Sequence, residues 1–136
     1  MLLIDQKNPR AIEIHRQLSN LTDFSNLPFH LVFGGDAWLL QCIRTHGVQK
    51  PFFGVNSGTL GFLLNSSDNL ENVASSITTQ KWTSHEFPLL EVHAESPHGN
   101  KIHGYAVNDI YVARMAGVAA NIRLDIDGHN IVEKLI

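Results

Sequence analysis

The sequence lacks the features that mark several large classes of protein. Cys42 is the only cysteine in 136 residues, which excludes a disulfide framework and a cysteine metal site and suits a reducing compartment. Lysine and arginine are scattered singly, so charge gives no case for nucleic-acid binding. No apolar run approaches the roughly 20 residues that span a bilayer, and residues 1–4 lack the pattern of a signal peptide. We therefore expect a cytoplasmic protein with neither a nucleic-acid nor a membrane partner.

What the sequence does contain is typical of a globular chain. Apolar residues make up 43% and charged residues 17% of it, with a formal net charge of −3. The length suits one domain, or one domain and part of another. The eight histidines form no HExxH motif and no cysteines join them, so we expect no zinc site.

The first 84 residues alternate between strand-like and helix-like segments. Residues 29–33 (FHLVF) and 51–55 (PFFGV) predict short buried strands, and residues 37–46 between them predict a helix that ends at Gly47. A strand, a helix and a strand form a βαβ unit, whose strands are parallel. Ser67 is expected to cap a further helix, whose apolar side follows the helical repeat at Leu70, Val73, Ala74 and Ile77.

The character of the chain changes after residue 84. Strand-like runs lie around residues 89–92, 102–107 and 110–112, and Ile122, Leu124 and Ile126 alternate with polar residues as in a half-buried strand. An Asp-Gly pair at 127–128 predicts a primed hairpin turn that pairs residues 131–136 back. We therefore expect an α/β fold. Residues 1–84 would form a nucleotide-binding domain on a Rossmann-like parallel sheet, and residues 85–136 the first antiparallel strands of an incomplete β-domain.

The triplet Gly34-Gly35-Asp36 follows the first predicted buried strand. Glycines at the carboxyl end of a parallel strand let backbone N–H groups approach a phosphate, and the next helix points its N-terminus at the same place. A carboxylate there can hold Mg²⁺ or take a proton from a hydroxyl nucleophile. The alternative is structural, with Asp36 as a helix N-cap after a tight turn.

Two further segments carry polar residues at strand ends. The run GVNSGTLGF at 54–62 has three glycines in a spacing that differs from the dinucleotide fingerprint, and its alternative is a plain glycine-rich corner. Asn108 and Asp109 interrupt a strand-like run, and an amide beside a carboxylate can bind ribose hydroxyls or an adenine edge. Their alternative is a β-bulge or a turn between two strands.

Together, the three segments resemble those of NAD kinases, and most closely of bacterial ones. GGD, KPFFGVNSGTLGFLLN and AVNDIYVAR follow one another in the family's order, and the resemblance runs from about residue 29 to the end. The GGD turn alone also suits diacylglycerol-type lipid kinases and phosphofructokinases, but the other two segments favour NAD kinases.

The resemblance implies transfer of a phosphoryl group from ATP, or from polyphosphate, to the adenosine 2′-hydroxyl of NAD⁺, with Mg²⁺ accompanying the donor. Asp36 matches the family's catalytic aspartate, a general base, and Phe62 an aromatic residue of the NAD pocket. Asn108 and Asp109 match the pair that holds the ribose and adenine. The nucleotide-binding residues implied in this way are Gly34, Gly35, Asp36, Ala37, Asn56, Gly58, Phe62, Asn108 and Asp109.

Two departures from the family pattern leave activity open. The family turn is GGDG, and Ala37 would cost roughly 1 kcal/mol or block the phosphate if that position needs a positive φ or close approach. Trp38 replaces a usual Thr, Ser or Phe. The family's TPTGSTAY-like segment is also missing, as in a fragment or a natural short form.

The chain is expected to be either an enzyme, or part of one, or a catalytically inactive relative that binds nucleotide or associates with a partner. An unpaired sheet edge after residue 136, and the family's habit, predict a homo-oligomer.

Overall fold

The computed structural model describes residues 1–115, 117 and 119–135, in two units, Met1–Glu86 and Phe87–Ile136. The first unit contains β1 (Leu2–Ile4), α1 (Pro9–Ser19), β2 (His30–Gly34), α2 (Asp36–His46), β3 (Phe52–Asn56) and α3 (Leu70–Thr79). The second contains β4 (Leu90–Glu95), β5 (Lys101–Ala106), β6 (Ile122–Ile126) and β7 (His129–Leu135). A parallel α/β unit and antiparallel pairs confirm the predicted fold class.

The first unit is built on a parallel sheet in the order β1-β2-β3. The predicted β2–α2–β3 unit is confirmed. Strand β1 escaped the sequence patterns because it has only three residues, and its identity as a strand depends on pairing with the buried β2. The central strand alternates its side chains between two faces, as all strands do. Its apolar residues point to both, so both faces need a cover.

Helices cover both faces of this sheet. Helices α1 and α3 bury one face, in a cluster that includes Leu18, Leu31, Phe33, Val55 and Ile77. Helix α2 covers the other face, where Val32, Leu39 and Cys42 pack together. The sheet is therefore fixed between two layers, and the loops that leave its strands start from rigid positions.

Asparagine side chains cap the N-termini of helices α1 and α3. The Asn8 side chain caps α1 by accepting hydrogen bonds from the N–H groups of Arg10 and Ala11. The expected cap of α3 at Ser67 is wrong, because Asn69 caps that helix by accepting a bond of 2.9 Å from the N–H of Asn72. Within the described parts of the chain, every helix is too short or too polar to cross a membrane.

The second unit consists of two antiparallel hairpins, β4–β5 and β6–β7. Asp127 and Gly128 both have positive φ, 49° and 79°, which confirms the primed turn. The predicted strand at residues 110–112 is wrong, since these exposed residues have no strand partner. Strand β6 is exposed along its length rather than half-buried, because its pairing within the hairpin covers neither face. Residue 136, predicted to pair in the last strand, lies outside the described residues.

Candidate functional site

The glycine corner forms where the buried strand β2 passes into helix α2. Gly34 is the last residue of β2, Gly35 is the N-cap with an extended backbone (φ −103°, ψ 178°), and Asp36 is the first residue of the helix. The structural alternative that made Asp36 the N-cap is therefore wrong, because Gly35 occupies the cap without any side-chain bond. Asp36 keeps its carboxylate for contacts outside its own helix.

The Asp36 carboxylate binds the backbone of the second glycine segment. One oxygen, Oδ2, accepts a hydrogen bond from the N–H of Phe62 at 2.9 Å, and the other, Oδ1, accepts one from Leu63 at 3.1 Å. A carboxylate has about four acceptor positions on its two oxygens, so roughly two stay available. The sequence gives no signal for this pairing, since it joins residues that are 26 and 27 positions apart.

The second glycine segment follows β3 from Asn56 onward and is also hydrogen-bonded to the glycine corner through Ser57. The Asn56 Oδ1 accepts a 2.8 Å bond from the N–H of Gly58, which tightens the turn. The N–H of Ser57 donates to the carbonyl of Gly34 at 2.8 Å, and its buried Oγ accepts from the Asn8 side chain. The carboxyl ends of β2 and β3, and the start of α1, are thus held together by hydrogen bonds.

The two glycines of the corner differ in what surrounds them. A Cβ atom at Gly34 would lie 2.8 Å from both Cβ and Cγ of Trp38, closer than real side chains come. A Cβ at Gly35 would meet nothing within 4 Å. Gly34 is therefore needed for packing, whereas the open space over Gly35 is where a ligand can approach the backbone.

Ala37 and Trp38 can now be placed. Ala37 lies inside α2 and its φ is not positive, so the conformational cost expected for alanine does not arise. Its side chain is exposed. Trp38 packs with the cluster around Val32 and Leu39 and covers Gly34. The indole therefore has a packing role.

Beside the corner, the second glycine segment presents apolar side chains to solvent. Phe62 is 87% exposed and Leu60 is 76% exposed, although the backbone of Phe62 is fixed by Asp36. A large ring on a fixed backbone is suited to stacking against a flat ligand such as a nucleobase. Gly61 permits this loop to close, since a Cβ there would lie 2.8 Å from the Asn56 side chain.

Asn108 and Asp109 lie in the second unit. Both are exposed and follow the end of β5, Asn108 in a bend and Asp109 in irregular chain. Two structural alternatives were expected here, a β-bulge and a turn between two strands. The turn between two strands is wrong, because no strand follows these residues directly within the described part of the chain. The structure thus brings Gly34, Gly35, Asp36, Asn56, Gly58 and Phe62 together in the first unit.

A parallel sheet covered on both faces, with glycine turns and an acid at the carboxyl ends of its strands, defines an α/β protein of the Rossmann-like type. The chain is 32% identical over 136 residues to an NAD kinase of Rickettsia canadensis (strain McKiel). It is 30% identical to NAD kinases of Rickettsia bellii (strain OSU 85-389) and Rickettsia typhi (strain ATCC VR-144 / Wilmington). These matches take in 97–98% of this chain and 51–53% of the relatives.

Over almost its whole length, the chain is therefore similar to NAD kinases. This confirms the resemblance drawn from the motifs. The chain spans about half the length of the curated relatives it matches. No protein-family model matches it.

Proposed function

We propose that the chain carries the phosphoryl-transfer part of an NAD kinase, which uses ATP or polyphosphate to phosphorylate the adenosine 2′-hydroxyl of NAD⁺. The observation that supports this most is the position of Asp36. Its carboxylate is fixed on the first turn of α2, at the sheet edge, beside the open backbone of Gly35. A fixed base next to an open phosphate cradle is what such a transfer needs.

In this proposal Asp36 accepts the proton of the 2′-hydroxyl. The two backbone N–H bonds hold the carboxylate in one orientation and leave about two acceptor positions, one of which can take the hydroxyl. The backbone at Gly35, where a Cβ would meet no atom within 4 Å, and the N-terminus of α2 would hold the phosphates of the donor. Ala37 leaves this approach open, because its small exposed side chain lies within the helix.

The donor set at the corner also suits Mg²⁺ accompanying the donor. Mg²⁺ is commonly held by one or two carboxylates together with substrate phosphates, and Asp36 offers one oxygen-rich carboxylate here. When bound, the ion would neutralise charge on the transferred phosphoryl group. Asp36 would hold the ion through an acceptor position that the backbone N–H groups leave available.

The remaining expected site residues enter as part of the same proposal. In the first unit, Phe62 would stack on the nucleotide, and Asn56 and Gly58 would shape its loop. In the second unit, considered by itself, Asn108 and Asp109 would offer an amide and a carboxylate to ribose and adenine. Residues 1–84 would then act as the nucleotide-binding domain, and residues 85–136 would begin the NAD-binding β-domain. The exposure of Phe62, Asn108 and Asp109 supports this, since each side chain is accessible to a ligand.

A second candidate is a catalytically inactive relative that binds nucleotide or associates with itself. One observation favours it. Both carboxylate oxygens of Asp36 already bond to backbone N–H groups, which is also what a purely structural aspartate would do. The exposed apolar residues of β6 and β7 likewise offer a surface for self-association, with Ile122, Ile126, Ile131 and Leu135 each about half exposed. We propose a cytoplasmic homo-oligomer, which sedimentation tests directly.

The activity is tested by NADP⁺ formation from NAD⁺, ATP and Mg²⁺, with the wild-type chain and the Asp36→Asn variant. We expect product with the wild type and a rate about 10²–10⁴-fold lower with the variant, the range of a general base. Product that survives Asp36→Asn would exclude the role of Asp36. No product from the wild type, combined with saturable binding of NAD⁺ or ATP, would exclude an enzyme that is active as this chain alone.

The variant needs a matched control, since the asparagine side chain in Asp36→Asn would place an N–H₂ group against the N–H of Phe62 or Leu63. Asp23→Asn is that control, because the exposed Asp23 carboxylate also accepts a backbone N–H bond, from Ser25 at 3.1 Å. It should leave NADP⁺ formation unchanged. Thermal unfolding of both variants separates a loss of folding from a loss of the base.

A further inference from the structure

The hairpin β4–β5 carries an unusual set of side chains on one face. Its register pairs His93 with His103 and Glu91 with Tyr105. Because side chains two positions apart in a strand lie on the same side, Glu91, His93 and His103 share a face. Apolar residues such as Val92 and Ile102 occupy the opposite face.

Both imidazoles lie close to the same carboxylate oxygen. The imidazole rings of His93 and His103 stack with centroids 4.4 Å apart and planes only 8° from parallel. The Nε2 atoms of both rings face the same oxygen, Glu91 Oε1, at 3.3 Å for His93 and 2.7 Å for His103. The possible ligand atoms of the three residues all lie within 4.8 Å of one another.

We propose that Glu91, His93 and His103 form a surface site for a divalent transition-metal ion, with Zn²⁺ as its best-suited occupant. Two imidazoles and a carboxylate are a ligand set that Zn²⁺ accepts, with a fourth position left to water. For metal–ligand bonds of about 2.0 Å in a tetrahedron, neighbouring ligand atoms are about 3.3 Å apart. The distance from His93 Nε2 to Glu91 Oε1 already has this value. On binding the ion, the His103 distance would open by about 0.6 Å and the two stacked rings would tilt toward the ion.

The surroundings permit the ion to enter. The side chains are 50–70% exposed, so water and ions reach them without any opening of the hairpin. The nearest charged pair on the same face is Lys101 with Glu95, whose charged atoms lie 3.6 Å apart. Its two charges cancel, so the pair does not repel a cation. The Tyr105 hydroxyl donates to Glu91 at 3.4 Å and fits the role of an outer partner that orients a ligand carboxylate.

On metal binding, the ion takes the position of a proton on the Nε2 atom of His103. In the metal-free hairpin, an Nε2–H of His103 can donate to the carboxylate, and the ion requires the neutral ring with its lone pair on Nε2. The expectation of no zinc site rested on local motifs and on cysteine. These three residues come together only through the strand register, which no local motif records.

Calorimetric titration of Zn²⁺ into the chelator-treated 136-residue chain near neutral pH tests the site. The wild type should bind one ion per chain, and His103→Ala or His93→Ala should weaken binding by at least about tenfold. His129→Ala is the matched control, because His129 is an exposed strand histidine in the other hairpin, and it should leave the affinity unchanged. Circular dichroism checks that each variant keeps the wild-type fold.

Histidine NMR signals give a second readout that does not depend on the variants. On addition of Zn²⁺ the imidazole protons of His93 and His103 should shift together, while those of His129 stay in place. Absence of wild-type binding, an affinity that survives His103→Ala, or shifts centred on other histidines would each overturn the proposal.

Discussion

Replacing Gly34 by alanine should destabilise the first unit. The new Cβ would lie 2.8 Å from Cβ and Cγ of Trp38, whereas ordinary contacts begin at 3.4 Å. The indole therefore has to move by at least about 0.6 Å, but it is anchored in α2 and packed with the cluster around Leu39. Movement of either α2 or the end of β2 is required.

The size of this effect follows from two opposing terms. Overpacking of a core contact costs about 1–3 kcal/mol. The loss of glycine's freedom in the unfolded chain returns about 0.5–1 kcal/mol. We therefore expect Gly34→Ala to lower the free energy of unfolding by about 1–2 kcal/mol.

Gly35→Ala is the matched control on the neighbouring residue. Its added Cβ has no atom within 4 Å, and the backbone φ of −103° suits alanine. The poorer N-cap and the stiffer unfolded chain act in opposite directions, so the net change should stay below about 1 kcal/mol. If Gly35 is the phosphate-facing glycine, this variant should instead weaken binding of ATP.

Urea unfolding followed by tryptophan fluorescence measures both variants, since Trp38 and Trp82 both lie in the first unit. A Trp82→Phe background isolates the signal of Trp38. Gly34→Ala should shift the folded-state emission as well as the midpoint. Equal midpoints for the two variants would refute the distinction between a packing glycine and a ligand-facing glycine.

Three other contacts lead to predictions of their own. Ser57→Ala leaves the amide of Asn8 without its 2.9 Å partner and should cost about 1–2 kcal/mol in urea unfolding; a change near zero would mean that the link between α1 and the glycine segment is unimportant. Burial and then the charge of Asp5 raise the pKa of the Cys42 thiol, so iodoacetamide should modify it much more slowly in the folded chain than in urea, and equal rates would contradict its burial. Burial and then nearby positive charge lower the pKa of His30. The folded state therefore binds fewer protons at His30 than the unfolded state does, so the free energy of unfolding should fall as the pH drops below the ordinary histidine range. His30→Gln should flatten this dependence of stability on pH. An unchanged pH profile in the variant would exclude His30 as its source.

The local patterns of the sequence were sufficient for the elements that form the core. Buried elements were predicted correctly from the apolar residues of β2 and β3 and from the helical repeat at Val73, Ala74 and Ile77. Each of these patterns lies within one strand or helix and does not depend on a partner elsewhere in the chain. The failures depend on partners. Strand β1 exists through its pairing with β2, and residues 110–112 have strand-like side chains but no strand beside them.

The candidate site divides in the same way. The position of Asp36 after a glycine turn could be predicted, since the turn and helix start are local. Its bonds to Phe62 and Leu63 could not, because they require the second glycine segment to fold back onto α2. The convergence of Glu91 with two histidines likewise depends on which residues the hairpin register places opposite one another.

The most direct test of the central claim is to locate the ligand on the first unit. Backbone NMR spectra recorded while NAD⁺, or ATP with Mg²⁺, is added would report each amide separately. We expect saturable shifts at Gly35, Asp36, Gly58 and Phe62, with the amides of β7 unchanged. Shifts absent from these residues at saturating ligand, or found only elsewhere in the chain, would contradict the assignment of the glycine corner as the nucleotide site.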